Sequence, residues 1–365
     1  MMRVNVAVTP NPYEVVIGSG LLAQVGARLL EVMHGRETVA IVTVAPVWRK
    51  WGKPLMQSLT ASGFRPYNLQ MPDGEPAKKL AVVEQLAEKL VRCGLDRSSV
   101  VIAFGGGVVG DTAGLLASLY MRGVRLVQIP TTVLAQVDAS IGGKTGVNLK
   151  AGKNLLGTFH QPRVVLIDPA ILSSLPARQY RAGLYEALKC GIIGNSTLFQ
   201  MFEDQKDKVL RRDAEILQWI IGESVKVKAS IVAADEREGG LRQVLNFGHT
   251  VGHALEAEGK YRAYLHGEAV AWGMIAATNI ALVTGKVSSV TAGRITDAVL
   301  GLGKLPAVKA KPASLLRLLR NDKKTRDGIV HFVVPRDIGQ VEVVKGIPDE
   351  VILEALSELR RFSGQ

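Results

Sequence analysis

Of the six histidines in the chain, His249, His253 and His266 fall close together in its second half. His249 and His253 stand at i and i+4 in Leu245-Asn246-Phe247-Gly248-His249-Thr250-Val251-Gly252-His253. The apolar pattern there is helical, so both imidazoles share one helix face. That spacing suits one metal ion or one substrate, and equally a polar helix surface. After a polar loop, His266-Gly267-Glu268 opens another helical run. Upstream, Glu186 and Lys189 sit at i and i+3 of the helical stretch Ala182–Lys189, where an ordinary surface ion pair is the plain reading. A catalytic zinc commonly takes three protein ligands, often two histidines and a carboxylate, and keeps one position open for substrate. These groups become informative only when taken together.

A second chemistry is suggested by Gly105-Gly106-Gly107-Val108-Val109-Gly110-Asp111, which follows the strand-like Val100–Phe104 and precedes a helix. Glycines let a backbone turn sharply and approach a pyrophosphate, which the amides of the following helix stabilise. The letters fit G-x-G-x-x-G at Gly105, Gly107 and Gly110. The strand is a late one, however, and no acidic residue follows at the ribose-binding distance, so this is not the ordinary dinucleotide fingerprint. A tight strand–helix turn explains the same letters. Gly142-Gly143-Lys144-Thr145-Gly146 imitates a nucleoside-triphosphate loop, but Asp138 stands where its first glycine belongs. That reading is rejected.

The elements that must position these residues fall into two parts. Strand candidates are Val4–Val8, Tyr13–Ile17, Val39–Thr43, Pro66–Gln70, Ser99–Phe104, Leu126–Ile129 and Val164–Asp168, with helical runs such as Leu21–Met33, Pro76–Arg92 and Gly110–Leu119 between several of them. Such alternation implies a largely parallel sheet covered by helices. After about Pro176 long amphipathic runs dominate: Gln179–Ile193, Asp213–Ala234, Leu241–Glu258, Gly267–Thr284, Val287–Leu300 and Asp349–Phe362. A hairpin at Ile329–Val334 and Gln340–Val344 is the one strand signal left. An α/β domain followed by a helical one is expected, with the cleft between them as the active site.

Composition narrows the class. Hydrophobic residues make up 47% and charged residues 21%, a globular balance. No apolar run is long enough to span a membrane, and the N-terminus alternates like a strand without a secretory core. Cys93 and Cys190 are too few for a disulfide framework and fit a reducing, cytoplasmic compartment. The net charge of +12 would suit nucleic acid. Apart from Arg317–Arg326 the basic residues are dispersed, and only 5% of residues are aromatic, thin for base stacking. An anionic small molecule or cofactor is the better match, so neither a nucleic acid nor a membrane is expected as partner.

Taken together the motifs resemble the 3-dehydroquinate synthase family, from Asp73 to about Pro335. The residues that carry the resemblance are Asp73-Gly74-Glu75-Pro76-Ala77-Lys78, Gly105–Asp111, Tyr120-Met121-Arg122-Gly123, Pro130–Asn148, Gly152-Lys153-Asn154, Asn246–His249 and His266-Gly267-Glu268. The resemblance implies a dehydroquinate synthase-like fold, an α/β N-terminal Rossmann-like domain plus an all-α C-terminal domain. Residues 1–175 would bind NAD, and the mainly helical residues 176–365 would bind metal and substrate. It implies a lyase of the shikimate pathway acting on a phosphorylated sugar acid, 3-deoxy-D-arabino-heptulosonate 7-phosphate. Its cycle is transient oxidation, phosphate elimination, reduction, ring opening and aldol closure, with NAD regenerated each turn.

By the same resemblance Glu186, His249 and His266 are metal ligands, with zinc most expected and cobalt possible. Asp73, Glu75, Lys78, Gly107, Val108, Val109, Gly110, Asp111, Thr131, Thr132, Lys144 and Lys153 match NAD-binding positions. Asp138, Lys144, Asn154, Lys189, Lys228, Arg242, Asn246, His253 and a lysine of Asp322-Lys323-Lys324, taken as Lys324, match substrate-contacting ones. Arg122 matches a residue that reaches the neighbouring subunit's site in a homodimer. The chain departs from the family at Thr43-Val44-Ala45-Pro46, where an Asp or Asn often meets the adenosine ribose, and at Tyr185 and Cys190, which replace a small and an aromatic residue. Sister sugar phosphate cyclases and glycerol-dehydrogenase-type polyol dehydrogenases stand as rivals. Lys144, Asn154, Lys228, Arg242 and Asn246 together favour the synthase.

Overall fold

Short Val- and Ile-rich runs bounded by turn residues form the strands of the first unit. The computed structural model describes residues 1–33, 38–320 and 330–363. Among these, β1 (Met2–Val6), β2 (Tyr13–Ile17), β3 (Thr38–Val44), β4 (Arg65–Met71), β5 (Val100–Gly105), β6 (Arg125–Pro130) and β9 (Val164–Ile167) make one sheet. Its order is β1-β2-β9-β6-β5-β3-β4. The β1–β2 pair is antiparallel and the other pairs are parallel. The pleat sends alternate residues to opposite faces. Val39, Ile41, Val100, Ile102 and Phe104 pack with α1 (Val25–Val32) and α2 (Ala45–Ala61). Ala40, Val42, Val101 and Ala103 pack with α3 (Leu80–Arg92) and α4 (Gly107–Leu119).

The chain leaves β3 for β4 at the sheet edge, then returns to β5 on the other side of β3 and continues to β6. Strand order therefore reverses between β3 and β5. The carboxyl ends of strands at such a reversal are where open α/β sheets bind ligands. Gly105, the last residue of β5, stands at that point.

Two elements here differ from the expected pattern. α2 is a full helix despite Pro46, Gly52 and Pro54. Pro46 sits in the first turn, where its missing N–H costs nothing, and burial of Leu55 and Leu59 holds the helix past Pro54. The second glycine cluster leads into an antiparallel hairpin, β7 (Lys144–Leu149) with β8 (Gly152–Phe159).

The second unit is mostly helical. The chain divides by internal contact into Met1–Pro176 with Leu217–Ala233, and Ala177–Ile216 with Ala234–Gln365. Most of α8 (Ala214–Ala234) thus belongs with the sheet, and the helices α5 (Ala177–Gly194), α6 (Ser196–Asp204) and α7 (Lys206–Leu210) do not. The second unit also holds α9 (His249–Glu258), α10 (His266–Val283), α11 (Ser289–Gly301), α12 (Pro312–Arg320) and α13 (Asp349–Ser363). The hairpin β10 (His331–Asp337) with β11 (Gln340–Lys345) makes it mostly rather than wholly α. α10 is buried from Gly267 to Thr278 and packs against α5, α9, α11 and α13. The helical run expected over Leu241–Glu258 is broken. A 3-10 turn, Leu241–Asn246, is separated from α9 by Gly248 at φ +79°. A Cβ on Gly248 would lie 2.7 Å from the Val270 carbonyl oxygen, so only glycine fits there.

Candidate functional site

Glu186, His249 and His266 come from α5, α9 and α10 and converge inside the second unit. The helices approach closely because small residues face one another. A Cβ on Gly267 would stand 1.8 Å from the Ala182 carbonyl oxygen, and one on Gly273 would stand 1.7 Å from that of Gly248. The Glu186 side chain is 0% exposed. Its Oε1 lies 3.7 Å from Nε2 of His249 and 3.5 Å from Nε2 of His266. Oε2 lies 2.5 Å from Nζ of Lys189, an ion-pair contact rather than a hydrogen bond, and neither oxygen has a hydrogen-bond partner. A buried carboxylate left in that condition is costly. A divalent cation would remove the cost, and two imidazoles with one carboxylate are a zinc-type donor set.

His253 completes a cluster of rings. Its centroid is 5.4 Å from that of His249 and 6.0 Å from that of His266. With Glu256 and His266 it forms a second group of metal-capable atoms that shares His266 with the first. Nearby, Arg242 is buried on the 3-10 turn, its guanidinium donating to the Glu236 carbonyl. Asn246 Nδ2 donates to Glu238 Oε1 at 2.9 Å.

In the first unit the glycine turn is a backbone cradle. Gly106 is the N-cap of α4 and has no side-chain cap bond, and the opening amides of a helix have no partner within it. A Cβ on Gly106 would sit 3.1 Å from Thr132 Cγ2, and one on Gly107 3.3 Å from Ala139 Cβ, so side chains would begin to fill the space a ligand needs. Thr131 is pinned beside the turn by its N–H, which donates to the Gly105 carbonyl at 2.9 Å. Lys78, buried, donates to both Asp111 and Asn154. Burial raises the Asp111 carboxyl above its ordinary range, and the Lys78 charge opposes that rise. Glu75 Oε1 accepts from Asn148 Nδ2 at 2.8 Å and lies 3.8 Å from Lys153 Nζ.

Lys228 of α8 donates to the Asp138 carbonyl at 2.6 Å and to its Oδ1 at 2.5 Å. Asp73, Lys144 and Arg122 are exposed. Met121 and Arg122 both hold positive φ, at 48° and 65°, a strained arrangement for non-glycine residues. The first unit therefore brings together Lys78, Asp111 and Asn154, then Glu75 and Lys153, then Asp138 and Lys228. The second gathers Glu186, Lys189, His249, His253 and His266. Lys324 lies outside the described residues.

Several residues at these places carried no assigned role in the sequence. Asn148 ties the Asp73 loop to the hairpin, its N–H donating to the Lys78 carbonyl at 2.8 Å. Glu268 accepts from the Leu265 N–H at 2.8 Å and pairs with Arg178 at 2.7 Å, fixing the start of α10 and with it His266. A glutamate three residues into a helix is the readable signal for that cap. Glu256 meets His266, and no spacing rule points to it.

Comparison with known proteins agrees with this architecture. The 3-dehydroquinate synthase N-terminal family profile matches residues 68–182, and the 3-dehydroquinate synthase C-terminal profile matches residues 183–325. The chain is 49% identical over 363 residues to the 3-dehydroquinate synthase of Koribacter versatilis (strain Ellin345), covering 100% of this chain and 99% of that one. Among solved structures, 2-epi-5-epi-valiolone synthase from Streptomyces hygroscopicus subsp. jinggangensis 5008, with NAD+ and Zn2+ bound, superposes with a TM-score of 0.88 at 31% identity, over 96% of this chain and 97% of that one. A 2-deoxy-scyllo-inosose synthase complexed with carbaglucose-6-phosphate, NAD+ and Co2+ gives 0.88 at 25% identity, over 98% and 99%. With both family profiles matched in order and near-half identity along its whole length, the chain belongs to the 3-dehydroquinate synthase family.

Proposed function

We propose that Glu186, His249 and His266 hold one divalent cation, zinc or cobalt, and that the turn Gly107–Asp111 with Thr131, Thr132, Lys78 and Lys153 holds NAD. With these the enzyme converts 3-deoxy-D-arabino-heptulosonate 7-phosphate to 3-dehydroquinate and phosphate. The observation that carries the site is Glu186, whose fully buried carboxylate lacks hydrogen bonds and faces two imidazole nitrogens. When bound, NAD would supply a reversible hydride acceptor and the cation a Lewis acid for a carbinol oxygen.

The chain's own residues bind and orient. Lys228, held by two oxygens of Asp138, is an aimed point charge for a substrate anion. Arg242 adds a planar fork suited to a carboxylate or phosphate, and Asn246 is oriented by Glu238. His253 stands beside the ligand pair as a substrate-contacting ring. No dedicated base is assigned, because the departing phosphate, with a second pKa of about 6, can itself take the proton. These cations suit a sugar acid phosphate, which carries a carboxylate as well as a phosphate for them to hold.

The test is phosphate release by metal-replete protein with catalytic NAD, followed for net NADH. NAD-dependent release with dehydroquinate as product and no NADH build-up is expected. Turnover of glucose 6-phosphate or sedoheptulose 7-phosphate instead would assign a sister cyclase, and stoichiometric NADH from a polyol would assign a dehydrogenase.

The chain is also read as a cytoplasmic homodimer. Cys93 and Cys190 are unbridged, and among the described residues no helix is long and apolar enough to cross a membrane. Leu155, Leu156 and Phe159 on β8 are exposed, as are Leu119 and Met121 beside Arg122. A second copy covering them would bring Arg122 to its neighbour. Sedimentation should give a dimer that Phe159→Glu dissociates, with activity falling in step; a fully active monomer would overturn this reading.

A further inference from the structure

We infer that Glu256 is the positioning residue for His266, fixing its proton on Nδ1 so that Nε2 is offered as the ligand atom. The inference rests on the metal reading of Glu186, His249 and His266. Glu256 lies on α9, three residues after His253 and seven after His249, on the same helical face. It is 4% exposed, and its Oε2 lies 3.2 Å from Nδ1 of His266. On the other side of the same ring, Nε2 is 3.5 Å from the Glu186 carboxylate.

A neutral imidazole has one N–H and one lone pair, and the partner of one nitrogen decides the role of the other. An ionised carboxylate can only accept, so Glu256 requires the proton on Nδ1 and leaves the lone pair on Nε2. His249 is set in the same sense by a different device. Its Nδ1 faces the Phe247 carbonyl at 3.2 Å, which also can only accept. Both rings therefore present Nε2 toward Glu186 before any ion arrives. The carboxylate does more than the carbonyl, because its charge also raises the basicity of the ring it holds.

The competing assignment makes Glu256 itself a ligand with His253 and His266. That would use Nδ1 of His266 for the ion and leave Nε2 facing Glu186, whose buried oxygens would stay without hydrogen bonds. The positioning role satisfies both sides of the ring.

The test uses cobalt(II) alone on the metal-free, full-length protein, with chelator competition, and reads the His266 ring protons by 15N–1H correlation. In the metal-free wild type the His266 proton is expected on Nδ1. Glu256→Gln should fold, mix the two tautomers, and bind cobalt about 10- to 100-fold more weakly. Unchanged tautomer and unchanged affinity in Glu256→Gln would overturn the inference. So would a pattern in which His253→Ala and Glu256→Gln abolish binding while Glu186→Gln keeps it, which would make Glu256 a ligand. A wild type that binds no cobalt would end the metal reading; the tautomer of its His266, protonated on Nδ1 or not, would still decide for or against Glu256. The wild-type ring signals serve the same end should Glu256→Gln not fold.

Discussion

The glycine-rich turn of the first unit and the histidine cluster of the second are prepared for their ligands with different materials. The turn offers backbone: opening amides of α4, and glycines whose missing side chains leave room. Its neighbouring charges are already matched with one another, Lys78 with Asp111 and Lys228 with Asp138, and Lys78 donates to the Asn154 amide oxygen as well. The histidine cluster offers side chains on three packed helices, and its central carboxylate is buried without a hydrogen bond. A backbone cradle tolerates small shifts in its surroundings because the donors belong to the element itself. A side-chain centre depends on how closely its helices pack. The two regions should therefore fail differently when altered.

The largest effect is expected at the carboxylate. Glu186→Gln or His249→Ala should lose bound metal and lower kcat/KM by about a thousand-fold, since Lewis-acid stabilisation is worth several kcal/mol and each 1.36 kcal/mol is about tenfold. Metal analysis beside the phosphate-release assay checks this. A metal-free variant with full activity would remove the ligand assignment.

Glycine substitutions sharpen the contrast. Gly267→Ala places a Cβ where the Ala182 carbonyl oxygen already stands, 1.8 Å away. Backbone cannot swing aside as a side chain can, so α10 and α5 must separate, at a cost of about 1–3 kcal/mol. Because His266 and Glu186 ride on those helices, metal affinity should fall together with the melting temperature. Gly107→Ala meets only Ala139 Cβ at 3.3 Å, so its fold and metal content should be unchanged while the KM for NAD rises. If Gly107→Ala also lost metal, or Gly267→Ala lost only NAD, the division of labour drawn here would be wrong.

How much of this was legible in the sequence follows the same division. Strands such as β3 and β5 announce themselves because both faces are buried and the runs are almost wholly apolar, with only Thr38 and Thr43 interrupting β3. α2 did not, because Pro46, Gly52 and Pro54 disguise a helix held by tertiary burial. The hairpin β7–β8 was hidden by its glycines and by a mostly exposed β8. In the cluster, spacing put His249 and His253 on one face but could not say which of them faces Glu186. Only the close approach of α5, α9 and α10 decides that. Glu256 was silent for the same reason, and so was the pairing of Glu268 with Arg178, ninety residues away, although the Glu268 cap on Leu265 follows from its place in the first turn. The grouping of Leu217–Ala233 with the sheet likewise reflects contacts that periodicity does not record.

The smallest expected effect concerns the loop that carries Arg242. The Asp235 carboxylate accepts from the N–H groups of Arg242, Gly240 and Gly239, at 3.0, 2.7 and 2.9 Å. Those bonds, Arg242's foremost, hold its pKa below the ordinary carboxylate value. A lowered folded value means the contribution is complete above the unfolded pKa of about 3.9 and is lost as pH falls through the folded one. The loop should thus stay ordered at neutral pH and loosen only in acid. Tracked by NMR, the amide shifts of Gly239 and Gly240 should titrate with a midpoint below about 3.9. Asp235→Asn should abolish that titration and raise the substrate KM modestly, less than Arg242→Ala does, with metal content untouched. A midpoint at or above the ordinary value would mean the carboxylate does not hold the loop, and the orientation of Arg242 would then have to come from the Glu236 carbonyl alone.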